Sequence, residues 1–355
     1  MASLAIGDAL VGSAHPVYIV AELSANHRQE FEEAVRLIKA AKESGADAVK
    51  LQTYTPDTLT IQCDAAEFQI TGGTLWDGRT LYDLYREAYM PWDWQPKLKR
   101  VADDIGLTLF STPFDRTAVD FLEEMDVPVY KIASFEVVDI PLIEYVASKG
   151  KPLIISTGMA TQEEIAEAVQ SARGAGASQI ALLKCTSAYP APPEEINLRT
   201  IPDMAERFGV SVGLSDHTLG IAVPVAAVVL GACIVEKHFT LSRAISGPDS
   251  AFSIEPAEFK SMVESIRTVE QALGEVRYEV SEHEAKSRVF RRSLFVVKDV
   301  KAGQVFTEEN VRSIRPGQGL PPKHFRRVLG RQASQDIKRG TPLRWAHLAG
   351  GKDQC

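Results

Sequence analysis

Cysteine is scarce in this chain of 355 residues, and the four present (Cys63, Cys185, Cys233 and Cys355) are widely scattered with no Cys-x-x-Cys pair. That excludes a disulfide framework and a cysteine zinc cluster, and it suits a reducing compartment. No basic segment leading into an apolar run opens the sequence, so no secretory signal is expected. The longest apolar run, residues 221–234, is too short to span a bilayer, and no membrane partner is expected. No early Gly-x-Gly-x-x-Gly is found, which argues against a dinucleotide-binding open sheet. A cytoplasmic globular protein is the simplest expectation.

What the chain does have is a regular alternation of strand and helix signals. Eight short runs rich in Val, Ile and Leu, at residues 17–23, 48–54, 108–113, 129–134, 152–157, 180–187, 210–216 and 234–240, lack polar alternation, as strands buried on both faces do. Helical stretches separate them. Phe31, Ala34, Val35, Ile38 and Ala41 share one face before Gly45, Thr161 and Glu164 make a capping box, and Pro256 opens a helix that Gly274 ends. This arithmetic predicts an α/β fold, a (β/α)8 TIM barrel over residues 1–274, with a short hairpin at 4–12 in front of it. A doubly wound open sheet is the alternative. Residues 54–94 interrupt the rhythm with Tyr54, Phe68, Trp76, Tyr82, Tyr85, Tyr89, Trp92 and Trp94, a length and composition that suit a lid or pocket wall. Surface packing accounts for most of these aromatics, about two-thirds by our reading.

Residues 275–292 read as a charged linker, and 293–355 as a compact β-rich module. Within the module, Val300-Lys-Ala-Gly-Gln-Val-Phe306 echoes Ile337-Lys-Arg-Gly-Thr-Pro-Leu343, which suggests two related halves. The net charge of −8 conceals a division. Residues 285–347 hold 15 Lys and Arg against 4 Asp and Glu, while the rest of the chain holds 24 against 43. Such a basic module can bind nucleic acid, or it can dock on an acidic body without any third party.

Two strand ends draw the chemistry together. Ser215-Asp-His217 and Glu236-Lys-His238 end neighbouring parallel strands, where barrels keep their active sites. A lone histidine there is usually a hydrogen-bonded structural residue, but two, each beside a carboxylate, favour a divalent metal site. Lys50 and Lys131 lie inside predicted strands, and a buried ammonium needs an anion or loses its proton. With the hydroxyls of Thr112, Ser134, Ser156 and Ser215 they would make an anion pocket suited to phosphate. A Schiff-base aldolase, needing one desolvated lysine, is the rival chemistry.

These residues sit in motifs that identify a family. Ala21-Glu-Leu-Ser-Ala-Asn-His27, Lys50-Leu-Gln-Thr53, Phe110-Ser-Thr-Pro-Phe114, Tyr130-Lys-Ile-Ala-Ser134, Ser156-Thr-Gly-Met159, Cys185-Thr-Ser-Ala-Tyr-Pro190, Gly213-Leu-Ser-Asp-His-Thr218, Glu236-Lys-His-Phe-Thr240 and Gly247-Pro-Asp249 resemble the sialic acid synthase family. The resemblance covers essentially the whole chain, and the C-terminal module is similar to that family's antifreeze-like (SAF, β-clip) domain. It implies condensation of phosphoenolpyruvate with the aldehyde of an open-chain N-acetylated amino sugar. The products would be a nine-carbon 2-keto sugar acid and phosphate, released by C–O cleavage. By the resemblance, His217 and His238 hold Mn²⁺, with Mg²⁺ or Co²⁺ as alternatives. Lys50, Thr112, Lys131, Ser134, Ser156 and Ser215 hold phosphoenolpyruvate, and Glu22, Gln52, Glu136, Tyr189 and Asp249 face the sugar or the reacting water. Either Glu22 or Glu136 directs that water. Arg315 matches an arginine that reaches the N-acetyl group from a partner subunit, which implies a domain-swapped homodimer and no nucleic-acid partner. Ser187 and Phe135 depart from the Asn and Gly that sialic acid synthases often carry, so N-acetylmannosamine is not the expected sugar. Residues 22–27, 52–57 and 75–85 are most similar to the family's pseudaminic acid-forming branch. With the aromatic insertion, this predicts an apolar wall that favours a trideoxy diacetamido sugar.

Overall fold

Each of the eight apolar runs forms a parallel strand, and the eight close into a ring. In front of them stands a hairpin of β1 (Leu4–Ile6) and β2 (Ala9–Val11), paired antiparallel. The ring runs β3 (Tyr18–Glu22), β4 (Ala48–Thr53), β5 (Thr108–Pro113), β6 (Tyr130–Ile132), β7 (Leu153–Ser156), β8 (Ile180–Cys185), β9 (Ser211–Asp216) and β10 (Ile234–His238). Strands adjacent in sequence pair in order, and β10 returns to pair with β3, closing the barrel. This TIM barrel is seen in a computed structural model that describes residues 3–351. The last residues of the expected C-terminal module, 352–355 with Cys355, lie outside the described residues.

Helices fill the intervals. Phe31–Glu43 buries Ala34, Leu37, Ile38 and Ala41 against the sheet. Gln95–Asp104, Arg116–Glu124, Ile140–Ala147, Gln162–Gly174, Thr200–Phe208 and Ala222–Val229 follow in turn, and Pro256–Leu273 comes after β10. The Thr161–Glu164 capping box is formed, and Gly274 ends the helix Pro256–Leu273 at a positive φ that disfavours other residues. The strand interiors and inner helix faces merge into one apolar core. Gly213 on β9 shows how tightly the ring is drawn: a Cβ there would lie 2.4 Å from the Ile234 carbonyl oxygen. A methyl group at that position would push β9 off β10.

The register decides what the barrel offers at its C-terminal end. His238 pairs with Glu22, Glu22 with Lys50, Gln52 with Thr112, and Ser215 with both Glu236 and Cys185. Alternation along each strand then sends Ser215, Glu236 and His238 inward and their neighbours outward. Asp216, read from sequence as a carboxylate beside the metal site, faces the other way and pairs with Lys237 at 2.5 Å.

The chain divides at Gly274, and residues from Glu275 form a second compact unit. A short helix, Glu282–Ser287, lies in the stretch read as a linker. Beyond it β11 (Ser293–Val296) and β12 (Val311–Ile314) pair antiparallel around a small core that includes Leu294, Val296, Phe306 and Leu343. The internal echo takes physical form here. Val300 and Ile337 exchange both backbone hydrogen bonds, at 2.9 and 2.8 Å. Asp336 accepts from the Ala302 N–H and pairs with Lys301, while Asp299 accepts from the Arg339 N–H and pairs with Lys338. Each half caps the other.

Candidate active site

A cavity of about 350 Å³ opens at the C-terminal end of the barrel. Its floor is ionic. Lys50 Nζ lies 2.9 Å from Glu22 and 3.2 Å from Glu236, and Lys131 Nζ lies 3.7 Å from Glu236. All four side chains are buried. Lys131 also donates to Ser156 Oγ at 2.7 Å, Ser215 donates to Glu236 at 3.1 Å, and Gln52 donates to Glu22 at 3.0 Å. Two cations and two carboxylates thus neutralise one another inside the barrel, which is how buried charge is tolerated.

The partition of that charge is unequal. Burial would raise Glu236, but Lys131 and Lys50 outweigh it and hold the carboxyl down to about 2. Burial dominates at Glu22 and pushes it up to about 7, despite Lys50. Burial also brings Lys131 down to about 8, against the attraction of Glu236, while Lys50 is raised to about 12 because its two carboxylates overcome desolvation. Glu136, in the turn Ser134–Glu136 after β6, is likewise pushed by burial up to about 7, and its Oε2 has no hydrogen-bond partner. Two carboxyl groups in one cavity are therefore poised near neutrality, the condition for acid–base work.

Beside the floor stand the two histidines, with ring centroids 5.2 Å apart. Tyr189 stacks against His217 at 4.4 Å, and Phe252 meets both Tyr189 and His238 at 5.0 Å. His217 Nδ1 lies 2.9 Å from the Thr186 carbonyl, which takes an Nδ1–H, so that Nε2 is the nitrogen left to ligate when the ring is neutral. Burial would lower this imidazole, but Cys185 and that carbonyl outweigh it and raise the ring above its ordinary value. Burial, with His217 and the nearby lysines, holds His238 well below the usual imidazole range, so it is neutral, and its buried Nδ1 has no hydrogen-bond partner. These donors fit a divalent ion. Among the described residues no three His, Cys, Asp or Glu side chains converge into a closed site. A pair of imidazoles with open positions suits an ion that completes its shell with water or substrate.

Ser134, Ser156, Ser215, Tyr189, Gln52 and Asp249 line the same cavity as the glutamates, lysines and histidines. Thr112 lies just behind them, 3.4 Å from Lys50 Nζ. Arg315 belongs to the second unit, following β12. Gly158 permits the close approach of Ser134, whose Oγ accepts its N–H at 3.1 Å; a Cβ there would collide with Ser187 and Ser134. Of the two departures from the family pattern, Phe135 lines the cavity, while Ser187 sits behind it, 3.9 Å from Cys185.

Sequence reasoning passed over Ser24, Cys185 and Phe252, and it read Glu236 only as a carboxylate beside His238, not as the partner of the two lysines. Ser24 accepts from Gln52 at 2.9 Å and donates to Asp249. Cys185 lies 3.8 Å from His217 Nδ1. Strand alternation carries a signal for Cys185, because Lys184 before it turns outward to the Thr186 hydroxyl. Of the insertion's aromatics, Tyr54, Trp76 and Tyr85 line the cavity.

Comparison with known proteins agrees with this geometry. Residues 37–278 match the NeuB family and residues 291–349 match the SAF domain. The chain is 47% identical over 328 residues to a pseudaminic acid synthase of Campylobacter jejuni, covering 92% of this chain and 95% of that protein. It is 37% identical over 343 residues to an N,N'-diacetyllegionaminic acid synthase of Legionella pneumophila, covering 95% and 96%. The crystal structure of an N-acetylneuraminic acid synthetase from Leptospira borgpetersenii superposes with a TM-score of 0.72 at 30% identity, covering 81% of this chain and 95% of that one. The chain therefore belongs to the NeuB family, with a TIM barrel that carries the ionic floor and paired histidines and an SAF domain after it.

Proposed function

We propose that this chain is a pseudaminic acid synthase, condensing phosphoenolpyruvate with 2,4-diacetamido-2,4,6-trideoxy-L-altrose to give pseudaminic acid and phosphate. The observation that carries the reading is its 47% identity to the Campylobacter enzyme across almost the whole chain, against 37% to the legionaminic relative.

The floor suits the anionic reactant. Lys50 and Lys131, with the hydroxyls of Ser134, Ser156 and Ser215, offer charged and neutral donors to a phosphate and a carboxylate. Thr112 helps to hold Lys50 in place, and Glu236, kept ionised, fixes both ammonium groups. His217 and His238 would hold a divalent ion, Mn²⁺ by expectation with Mg²⁺ or Co²⁺ as alternatives; when bound, it polarises the aldehyde carbonyl. Carbon 3 of phosphoenolpyruvate bonds to the aldehyde carbon, whose oxygen gains a proton. Water adds at C2 and gives up a proton to Glu22 or Glu136, each poised near neutrality. Cleavage of the C2–O bond then releases phosphate, which carries off the C2 hydroxyl proton and leaves the ketone, while the proton taken by the glutamate passes to the oxygen of the former aldehyde. Gln52, Tyr189 and Asp249 line the cavity beside these groups and orient the sugar.

A homodimer is part of the proposal, with Arg315 meeting the N-acetyl group from the partner subunit. Ile61, Leu75, Phe135, Met159, Leu219 and Ile245 are all exposed on loops that follow strand ends. Exposed apolar side chains at that end of the barrel support a partner chain covering it.

One assay tests the reading. The altrose-configured sugar, its mannose-configured isomer and N-acetylmannosamine compete for phosphoenolpyruvate carrying ¹⁸O in the bridging position. The altrose-configured sugar should show the highest kcat/KM, with the label leaving in phosphate. A higher kcat/KM for either competitor overturns the sugar assignment, and label retained in the keto acid overturns C–O cleavage.

A further inference from the structure

The backbone ladder between β9 and β10 runs out where the two histidines stand. Leu214 pairs with Val235, Ser215 with Glu236 and Asp216 with Lys237, and there the pairing of these strands stops. His238 is the last residue of β10, but His217 is already one residue past the end of β9. The ladder therefore ends just short of fixing one histidine against the other.

Side chains take over from it. Lys237 Nζ donates to Asp216 Oδ2 at 2.5 Å and, past His217, to the Thr218 carbonyl at 2.6 Å. Asp216 in turn accepts from the Thr218 N–H at 3.0 Å and from the Thr218 hydroxyl at 3.1 Å. One ammonium on β10 thus grips the residues on both sides of His217, and it belongs to the sequence neighbour of His238. Asp216, Thr218 and Lys237 are each at most 2% exposed, so water does not compete for these bonds. None of the three lines the cavity.

A pair buried this deeply adds little stability, because desolvating the two charges offsets most of their attraction. What it supplies is register: displacing either group would leave the other charge buried and uncompensated. Register matters here because a metal site tolerates only about 0.2 Å of error in each ligand distance.

We propose that Asp216 and Lys237 are positioning residues for the histidine pair: their tie, carried on to the Thr218 carbonyl, sets the separation and direction at which His217 and His238 meet a divalent ion. The proposal rests on the reading that these histidines hold such an ion. It gives the carboxylate beside His217 a task other than ligation.

The test removes the tie and keeps the turn, with Asp216→Asn and Lys237→Met in one chain. The asparagine can still accept from the Thr218 N–H, and no buried charge is left without a partner. Metal-free protein is titrated with Mn²⁺ while the electron paramagnetic resonance signal of the free ion is followed, and phosphoenolpyruvate binding is measured on the same samples. The double variant should unfold at close to the temperature of the unaltered protein and bind phosphoenolpyruvate as tightly. Its affinity for Mn²⁺ should fall about 10- to 100-fold. If it does not fold, Asp216→Asn alone carries the test; it leaves Lys237 on the Thr218 carbonyl, so its loss should lie near the lower end of that range. Unchanged Mn²⁺ affinity in a folded variant overturns the proposal. So does an equal loss of affinity for Mn²⁺ and phosphoenolpyruvate, which is what a general loosening of the barrel end would give. If the unaltered protein binds no divalent ion, the metal reading itself falls and this inference falls with it.

Discussion

Glu136 shows what burial does to a single carboxyl group. Its pKa stands at about 7 in the folded chain against an ordinary 4.5, with desolvation as the largest cause. Below pH 4.5 both folded and unfolded states hold the proton. Between 4.5 and 7 the folded state keeps a proton that the unfolded state gives up, so this group's contribution to stability is lost as pH rises and is gone above 7. Glu136→Gln should therefore stabilise the fold by about 2–3 kcal/mol at pH 8, a gain that shrinks to near zero by pH 4.5. Denaturant unfolding at the two pH values checks this; a gain that does not vary with pH would refute it. Lys50 and Lys131 were legible in the sequence because a strand lysine between apolar neighbours demands a partner. Their partner Glu236 was read only as a carboxylate beside His238, since the barrel arithmetic closes β10 on β3 without showing which side chains meet across the interior. Asp216 was misread for the same kind of reason. Adjacent polar residues look alike until alternation decides which one faces inward.

At the scale of elements, Trp76 ties the insertion of residues 54–94 to the loop after β10. The Trp76 indole N–H donates to the Pro248 carbonyl at 3.0 Å, and its ring lies 5.7 Å from Tyr189. The turn that presents it is braced by Asp77, which accepts from the N–H groups of Gly72, Gly73 and Thr74. Trp76→Phe keeps a ring but leaves the Pro248 carbonyl unpaired, a loss of about 1 kcal/mol. The KM for the sugar should rise about fivefold, with little change in the KM for phosphoenolpyruvate. Steady-state kinetics with each substrate varied separately gives the answer, and an equal rise in both values would sink the idea. The eight strands and their capped helices were readable because buried parallel strands and helix ends leave local signatures, as at Thr161, Pro256 and Gly274. The helix Leu81–Ala88 went unread inside the insertion, although its spacing and the Thr80 cap are both in the sequence. Periodicity shows that a face is apolar but not whether a core or a cavity receives it.

For the molecule as a whole, the proposal of a shared site makes a mixing experiment decisive. Arg315→Ala and His217→Ala subunits are each expected to be inactive as homodimers. In a heterodimer one site would combine an intact barrel with an intact Arg315 from its partner, restoring about half the activity per dimer relative to the unaltered protein. No recovery from verified heterodimers would mean that each chain completes its own site. The charge division of the sequence is consistent with that arrangement, but the second unit's fold was legible chiefly through its echo. The reciprocal caps at Asp299 and Asp336 explain why two weakly similar stretches belong to one domain.

The closed ring also has a consequence in time. A ribosome delivers Lys50 first and Glu236 last, and at ordinary elongation rates roughly ten to forty seconds separate them. Throughout that interval β3 waits with one edge unpaired, because β10, which covers it, does not yet exist. Lys50 and Lys131 meanwhile lack a carboxylate that the finished floor will give them, and a partial barrel that collapsed around them would bury uncompensated charge. Those lysines therefore disfavour a dry partial barrel until the final strand supplies Glu236.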